Sequence, residues 1–250
     1  MKILSIGNSF SHDAHVWLSQ VAQSAGDDIY AVNLYIGGCP LERHWNNYVS
    51  RDAAYDLEIS GVFERKISIN EALKMDDWDV ITLQQASPNC GDYATYQPYL
   101  SYLYREVRET CPNAKIFIHQ TWSYDTTCAL QAYDNFHRSQ HIMDARSIDA
   151  YAQASRDTGA ALIPCGDVIR YLRNNLPEFD YVNGGMSLNR DGFHLTLDYG
   201  RYAAALTWYG FLMGKDPRKV TFVPVVGEQA ADPALLNKIG QAVYTVLNSK

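Results

Sequence analysis

Long apolar runs and basic clusters are both missing from this sequence. The longest apolar segment, residues 202–213, falls short of the roughly 20 residues that span a bilayer, and it predicts a buried helix. The 21 Lys and Arg stand against 28 Asp and Glu, which gives a net charge of −7. Acidic chains bind nucleic acid and anionic membranes poorly. The composition therefore favours neutral ligands and leaves the oligomeric state open.

Paired cysteines are also missing. The five cysteines are widely spaced without a C-x-x-C pair, so we expect no zinc ribbon or thioredoxin-like motif, and mostly reduced thiols. Two histidine pairs have spacings that could hold a metal: His12 with His15, and His137 with His141. Neither pair has an obvious Asp, Glu or Cys companion set, so we expect no metal.

No signal peptide precedes the strand-like segment at residues 2–7. The sequence therefore predicts a cytoplasmic protein if Met1 is native, and a periplasmic or secreted one if a signal has been removed.

Strand-like and helix-like segments alternate along the chain. Apolar strands are predicted at residues 2–7, 29–36, 78–85, 114–120 and 160–164. Helices are predicted at residues 12–25, 96–110, 138–158, 165–175 and 197–213. Such alternation predicts a flavodoxin-like, three-layer α/β/α fold with a central, mainly parallel five-stranded sheet.

Two regions fall outside this alternation. Residues 50–77 are less regular and predict an inserted hairpin with a short helix. The tail predicts an extended segment and then a helix that opens at Asp232-Pro233, because Asp is a good N-cap and Pro a good first residue. We therefore expect one domain, residues 1–215, with a C-terminal extension, residues 216–250, packed on it.

The loops that leave the first four strands are the candidate site, because parallel sheets bind ligands beyond the carboxyl ends of their strands. The first loop carries Gly7-Asn8-Ser9, so Ser9 stands between a strand and a helix. Backbone N–H groups at a helix start stabilise developing negative charge. Ser9 is therefore a candidate nucleophile, and helix capping by Ser9 or Ser11 is the alternative.

A candidate base lies late in the chain, in "NRDGFHLT" (189–196). Asp191 and His194 are three residues apart, and in a turn this spacing brings the carboxylate beside the imidazole. The carboxylate fixes the tautomer of the histidine, which can then take a hydroxyl proton. A capping turn with a half-buried histidine is the alternative.

The other three loops supply candidate oxyanion and pocket residues. Gly37-Gly38 permits close backbone approach, and the amides of Gln84 and Gln85 end an otherwise apolar strand, where one could donate to an oxyanion. His119 and Trp122 follow the fourth strand at the same predicted edge.

The order of these residues resembles the SGNH/GDSL hydrolase superfamily of esterases and deacetylases. More narrowly, four segments resemble a bacterial branch known as a domain of unknown function and common among gut polysaccharide-degrading bacteria: "ILSIGNSFSHDA", "IGGCPLERH", "ITLQQAS" and "DGFHLT". The resemblance covers about residues 2–213. It implies that Ser9 is the nucleophile, that His194 is the base and Asp191 its partner. It also implies that the N–H groups of Ser9 and of Gly38, or its neighbour Gly37, serve the oxyanion hole.

The third block departs from the superfamily pattern. The chain has "LQQAS" where G-x-N-D is usual, so the oxyanion asparagine is missing from its expected place. Gln85 is the predicted substitute, and Gln84 or Asn89 is the alternative.

The resemblance implies a serine esterase that hydrolyses acyl esters, acetyl above all, on carbohydrate without a cofactor. Substrate contacts are expected from Gln84, His119 and Trp122. Several aromatic residues of the predicted loops suit sugars: Tyr93, Tyr96, Trp122, Tyr124, Tyr133 and Tyr181. A lipid-ester or thioester hydrolase is one alternative, and a catalytically weak carbohydrate-binding domain on the same fold is the other.

Overall fold

Seven strands form the central sheet of the computed structural model, which describes residues 1–249. They are β1 (Lys2–Gly7), β2 (Tyr30–Tyr35), β3 (Tyr55–Ile59), β4 (Val62–Ile67), β5 (Val80–Leu83), β6 (Lys115–His119) and β7 (Leu162–Ile163). Their order in the sheet is β4-β3-β2-β1-β5-β6-β7. The five strands from β2 to β7 in this order are parallel, and they are the five predicted strands.

The strand count is seven rather than five because the hairpin predicted within residues 50–77 joins the sheet. Its strands β3 and β4 run antiparallel, and β3 pairs antiparallel with β2. Five consecutive residues of β4 face solvent. An edge strand of this kind carries no apolar run, so the sequence gives little sign that it belongs to the sheet.

Nine α-helices within residues 1–249 form two layers that cover the sheet. They are α1 (Ser9–His15), α2 (Leu18–Ser24), α3 (Leu41–Ser50), α4 (Ile69–Ala72), α5 (Tyr99–Thr110), α6 (Gln140–Thr158), α7 (Cys165–Asn175), α8 (Tyr199–Met213) and α9 (Pro233–Asn248). Helices α1, α2, α7 and α9 contact α8 in one layer, whereas α3 to α6 contact one another in the other layer. The predicted three-layer α/β/α fold is confirmed.

The first helix begins at Ser9, three residues before the predicted start. Asn8 caps it: the Asn8 side-chain oxygen accepts from Phe10 N at 2.9 Å, and Asn8 N donates to Ser11 Oγ at 3.0 Å. This reciprocal cap satisfies first-turn donors. The hydroxyl of Ser9 takes no part in it.

The C-terminal helix begins where the sequence predicts. Asp232 accepts from Ala234 N at 2.8 Å, and Pro233 is the first helical residue. The helix packs on α7 and α8, and before it Val225–Val226 and Gln229–Ala230 form a small hairpin, β8 and β9. None of the helices within residues 1–249 is both long and apolar enough to cross a bilayer.

Candidate active site

Three of the predicted loops meet at the carboxyl edge of the sheet, around Asn8. The Asn8 amide donates to Cys39 O at 3.3 Å, which ties the end of β1 to the Gly37-Gly38 turn. Gln84 Nε2 donates to Asn8 Oδ1 at 2.6 Å, which adds the end of β5. Ser9 therefore directly follows Asn8, the residue through which the three loops are hydrogen-bonded.

Ser9 is the first residue of α1 and is half-buried. Its hydroxyl has no hydrogen-bond partner among residues 1–249, and its N–H belongs to the first helical turn, where such groups have no intrahelical acceptor. Gly7 is needed just before it, because a Cβ there would collide with Ser11 Oγ. Thus glycine permits close approach, asparagine caps the helix, and the Ser9 hydroxyl is left available.

Asp191 and His194 form the predicted pair. Asp191 Oδ2 lies 2.7 Å from His194 Nδ1, and its Oδ1 accepts from His194 N at 2.7 Å and Phe193 N at 3.2 Å. Partial burial opposes ionisation of the carboxyl group, but these hydrogen bonds outweigh it and hold the pKa of Asp191 below its ordinary value. An ionised Asp191 accepts a hydrogen bond from Nδ1–H of His194. The lone pair on Nε2 is then left for another group.

His194 lies over the first turn of α1. Its ring centroid is 6.1 Å from that of Phe10, the residue after Ser9. Trp122 joins the same two segments, because it stacks on Phe10 at 4.4 Å and its Nε1 donates to Phe193 O at 2.8 Å. The structure thus brings the segments that carry Ser9 and His194 together.

Gln85, the predicted oxyanion residue, is fully buried and committed to other groups. Its Nε2 donates to the carbonyl oxygen and the hydroxyl of Thr95, at 3.0 and 3.1 Å. Its Oε1 accepts from Leu41 N at 3.0 Å and Ala86 N at 2.8 Å. Both N–H groups and the carbonyl oxygen are therefore occupied in holding the start of α3 and the loop after β5.

Gln84 instead points to Asn8. Its Oε1 lies 2.8 Å from His119 Nδ1, and its Nε2 donates one of its two hydrogens to Asn8 Oδ1. Burial, with a smaller contribution from nearby His15, lowers the pKa of His119 to about 3. A neutral His119 therefore holds an amide whose second hydrogen is not used by another group of residues 1–249.

The predicted substrate contacts have little accessible surface. His119 and Trp122 are at most 1% exposed, so they offer almost no surface to a substrate, and Gln84 is 2% exposed. Four of the six aromatic residues expected to stack on sugars are also buried: Tyr96, Trp122, Tyr124 and Tyr133. They fill the core because aromatic rings bury large apolar areas. Gly37, Gly38 and Asp191 are the exposed parts of the site.

The sequence analysis did not predict a polar groove between the loop after β5 and α6. It has a volume of about 540 Å³, and its polar lining residues are Asn89, Asp92, Asn135, Arg146, Asp149 and Gln153. Ser87, which precedes the groove, bonds to Tyr124 at 2.8 Å, and the Tyr124 ring lies 5.9 Å from that of Phe193. Asn89 and Asp92 in one loop were the available signal, but α6 supplies the opposite wall.

The two histidine pairs do not form a metal site within residues 1–249. His12 Nδ1 lies 3.0 Å from Glu58 Oε2, and His15 Nε2 lies 2.9 Å from Ser5 Oγ. His137 and His141 are exposed. Within the part of the chain that the structure describes, no three His, Cys, Asp or Glu side chains are grouped to hold a metal ion.

The chain matches one sequence family, and its structure matches a solved member of that family. The profile of DUF4886, a domain of unknown function, matches residues 2–237. A crystal structure of a DUF4886 family protein from Bacteroides uniformis is 33% identical, with a TM-score of 0.89 over 99% of this chain and 95% of that one. No curated protein matches the sequence.

More distant structures share the fold. A proposed SGNH hydrolase from Slackia heliotrinireducens is 24% identical, with a TM-score of 0.56 over 83% of this chain and 96% of that one. The acetyl xylan esterase AlAXEase is 13% identical, with a TM-score of 0.58 over 85% of this chain and 100% of that one. The resemblance drawn from the sequence is confirmed: the chain belongs to the DUF4886 family and has the fold of the SGNH hydrolases.

Proposed function

We propose that the chain is a serine esterase that hydrolyses short acyl esters, acetyl above all, on carbohydrate. The observation that carries this proposal is the Asp191–His194 pair, joined at 2.7 Å and held over the helix turn that begins with Ser9. A carboxylate, an imidazole and a free hydroxyl in this order are the parts of a nucleophilic triad.

In the first half-reaction, the Ser9 hydroxyl attacks the ester carbonyl carbon as His194 Nε2 takes the hydroxyl proton. Asp191 stabilises the imidazolium that forms. The carbonyl oxygen becomes an oxyanion, which the N–H groups of Ser9 and Gly38 and the second amide hydrogen of Gln84 bind. Gln84 replaces Gln85 in this proposal because both Gln85 hydrogens are donated to Thr95.

The first half-reaction ends when the leaving alcohol takes the proton from His194 and departs, which leaves Ser9 acylated, and the second half-reaction begins from this acyl-enzyme. A water then attacks the acyl carbon as His194 accepts its proton, and the same proton returns to Ser9 when the acid leaves. The two steps need no cofactor, since proton transfer and oxyanion binding lower each barrier.

The surface around Ser9 supports a polar substrate with a short acyl group. Gly37, Gly38 and Asp191 are exposed, and the groove at the loop after β5 has amide, carboxylate and guanidinium groups that can bond hydroxyls. An acetyl xylan esterase is among the proteins that share the fold, which is consistent with this substrate class.

The test is hydrolysis of aryl esters with two, four and eight acyl carbons, alongside acetylated xylooligosaccharides. We expect acetyl esters to react fastest and acetate to be released from the glycan. Ser9→Ala should lower kcat by about 10⁴-fold or more, because a triad nucleophile is lost. A fluorophosphonate should label Ser9, as located by peptide mass spectrometry.

Ser101→Ala is the matched control, because Ser101 is an exposed serine on α5 and its loss should leave kcat unchanged. Ser9→Ala activity within tenfold of the unsubstituted chain would contradict the nucleophile. Faster octanoyl than acetyl hydrolysis, with no acetate from glycans, would favour the lipid-ester or thioester alternative. Glycan binding without any turnover would favour the carbohydrate-binding domain.

A further inference from the structure

Asp13 is a fully buried carboxylate on α1, one helical turn after Ser9. Its Oδ1 accepts from Arg201 Nε at 2.8 Å, and its Oδ2 accepts from Leu195 N at 2.8 Å. Arg190 Nη1 lies 3.2 Å from both oxygens. Charges are buried in proteins only when they are paired and hydrogen-bonded in this way.

These partners surround the catalytic pair in the chain. Arg190 immediately precedes Asp191, and Leu195 immediately follows His194. Arg201 lies on α8, the helix after this loop. One carboxylate therefore joins the helix of the proposed nucleophile to both sides of the loop of the proposed base and to the next helix.

Several hydrogen bonds within the base loop, residues 189–196, hold its shape. Arg190 N donates to His194 O at 2.9 Å, and Asn189 forms a bridge with Leu195. The Asp191–His194 hydrogen bond also lies within the loop. These bonds fix the orientation of His194 relative to Asp191, but they do not fix the position of the loop relative to Ser9.

We propose that Asp13 is a positioning residue that sets the distance between Ser9 and His194, a role that rests on the proposed function. It acts through Leu195 and Arg190 rather than by touching the substrate. Trp122 gives the loop a second contact with α1 through Phe193 and Phe10. Asp13 is the charged part of this attachment, and it bonds to the backbone of Leu195 directly from α1.

Asp13→Asn tests the proposal with little change in volume. Both carboxylate oxygens accept from N–H donors. In asparagine an NH₂ group replaces one of these oxygens, so the donors on that side lose their acceptor. Displacement of a catalytic group by about 1 Å can cost about 100-fold in rate. We expect kcat for the acetyl ester to fall by roughly 30- to 100-fold, with KM changed by less than about threefold.

Two further readouts separate positioning from a general loss of stability. The midpoint of the kcat–pH profile should stay in place, because the Asp191–His194 pair is internal to the loop. Hydrogen–deuterium exchange of peptides covering residues 189–196 should become faster, because Leu195 N loses a buried acceptor.

Asp27→Asn is the matched control. Asp27 accepts from Lys215 Nζ at 2.7 Å and from Tyr209 Oη at 2.9 Å, and it precedes β2 at the opposite end of the strands. It should lower the unfolding temperature in the same way as Asp13→Asn while leaving kcat and exchange in the base loop unchanged. Arg201→Met, which removes one partner of Asp13, should give a smaller fall in kcat, of roughly tenfold, and it decides the matter if Asp13→Asn does not fold.

The proposal is overturned if folded Asp13→Asn keeps the kcat of the unsubstituted chain, or if Asp27→Asn loses as much kcat as Asp13→Asn. Failure of the proposed function is a different result: the unsubstituted chain would then neither hydrolyse esters nor accept the fluorophosphonate at Ser9. In that case the exchange rates decide, and unchanged exchange in residues 189–196 of Asp13→Asn would reject the attachment itself.

Discussion

At the scale of single residues, the hydrogen bonds around Asn8 determine which glutamine keeps an uncommitted N–H for the proposed oxyanion hole. Asn8 Oδ1 accepts from Phe10 N, a group that can only donate, so this atom must be oxygen. Gln84 must therefore present its NH₂ to Asn8 and its oxygen to His119. The neutral His119 then carries its proton on Nδ1, because a carbonyl oxygen only accepts.

The two adjacent glutamines should therefore respond differently to substitution by alanine. Gln84→Ala should lower kcat by roughly 100-fold or more, since one oxyanion donor is worth about 3 kcal/mol in the transition state, and KM should change little. Gln85→Ala should leave Leu41 N and Ala86 N without an acceptor. It should lower the free energy of unfolding by about 1–3 kcal/mol, with a smaller effect on kcat.

Steady-state kinetics and urea unfolding of both variants provide the measurement. Each variant is the control for the other, because the substitution and the strand end are the same. A large loss of kcat in Gln85→Ala with an active Gln84→Ala would reverse the assignment and restore the sequence-based prediction.

The choice between these glutamines could not be made from the sequence. Neighbouring residues at a strand end point in different directions, and both stand in an apolar context that only requires some hydrogen-bond partner. Which of them meets Asn8 depends on contacts 76 residues away along the chain. Ser9 and Gly38 were easier to locate, because each follows a strand whose edge of the sheet is given by the alternation of strands and helices. Asp191 and His194 were located by their three-residue spacing.

At the scale of elements, the base loop depends on one glycine. Gly192 has φ +86°, and a Cβ there would collide with the backbone of Cys128. Its carbonyl oxygen accepts from Asp125 N at 2.8 Å and from Asn189 Nδ2 at 3.0 Å. The loop that carries His194 is thus packed against residues 125–128 with no space for a side chain.

Gly192→Ala should displace the base loop. The left-handed backbone alone costs a non-glycine residue roughly 1–2 kcal/mol, and the collision adds to this by pushing the loop away from Cys128. We expect kcat to fall by at least about tenfold through misplacement of His194, together with a lower unfolding temperature. Kinetics and thermal unfolding measure the two effects.

Gly184→Ala separates backbone strain from collision. Gly184 has φ +99° with no heavy atom within 4 Å of a Cβ, so it should lose a similar amount of stability through the backbone and keep its kcat. Equal kcat in both alanine variants would show that the packing at Cys128 does not position the base.

Strands and helix ends differ in how far the sequence predicts them. The five parallel strands follow from apolar runs that are buried on both faces. The start of α1 was placed three residues late, because Asn8, Ser9 and Ser11 are all residues that favour caps, and only the bonds of Asn8 and Ser11 show which one caps. The contacts of Asp13 join residues up to 188 positions apart, a distance over which local pattern carries no information.

At the scale of the whole molecule, three neutral histidines are enclosed in the core. Burial is the main cause that lowers the pKa of His15, His44 and His119 to about 3. A histidine of the unfolded chain has a pKa of about 6.5. Between these values the unfolded chain binds protons that the folded chain does not, so unfolding takes up protons and stability falls as the pH falls.

We therefore expect stability to be fully present above about pH 6.5 and to decline steeply below it. One proton per histidine corresponds to roughly 1.4 kcal/mol for each pH unit, so three give about 4 kcal/mol per unit. Domains have stabilities of about 5–15 kcal/mol. The free energy of unfolding from urea titrations should drop markedly between pH 6.5 and 5, before most carboxyl groups titrate.

Two histidine substitutions decide whether the core histidines are the cause. His44→Gln keeps a group that can bond to Tyr55, whose hydroxyl lies 2.9 Å from His44 Nδ1. It removes one of the three titrating core sites, so the slope of unfolding free energy against pH should fall by about a third. His141→Gln removes an exposed histidine of α6 and should leave the slope unchanged. A stability that stays level from pH 7.5 to 5, or an equal effect of the two substitutions, would show that the core histidines take up their protons without unfolding.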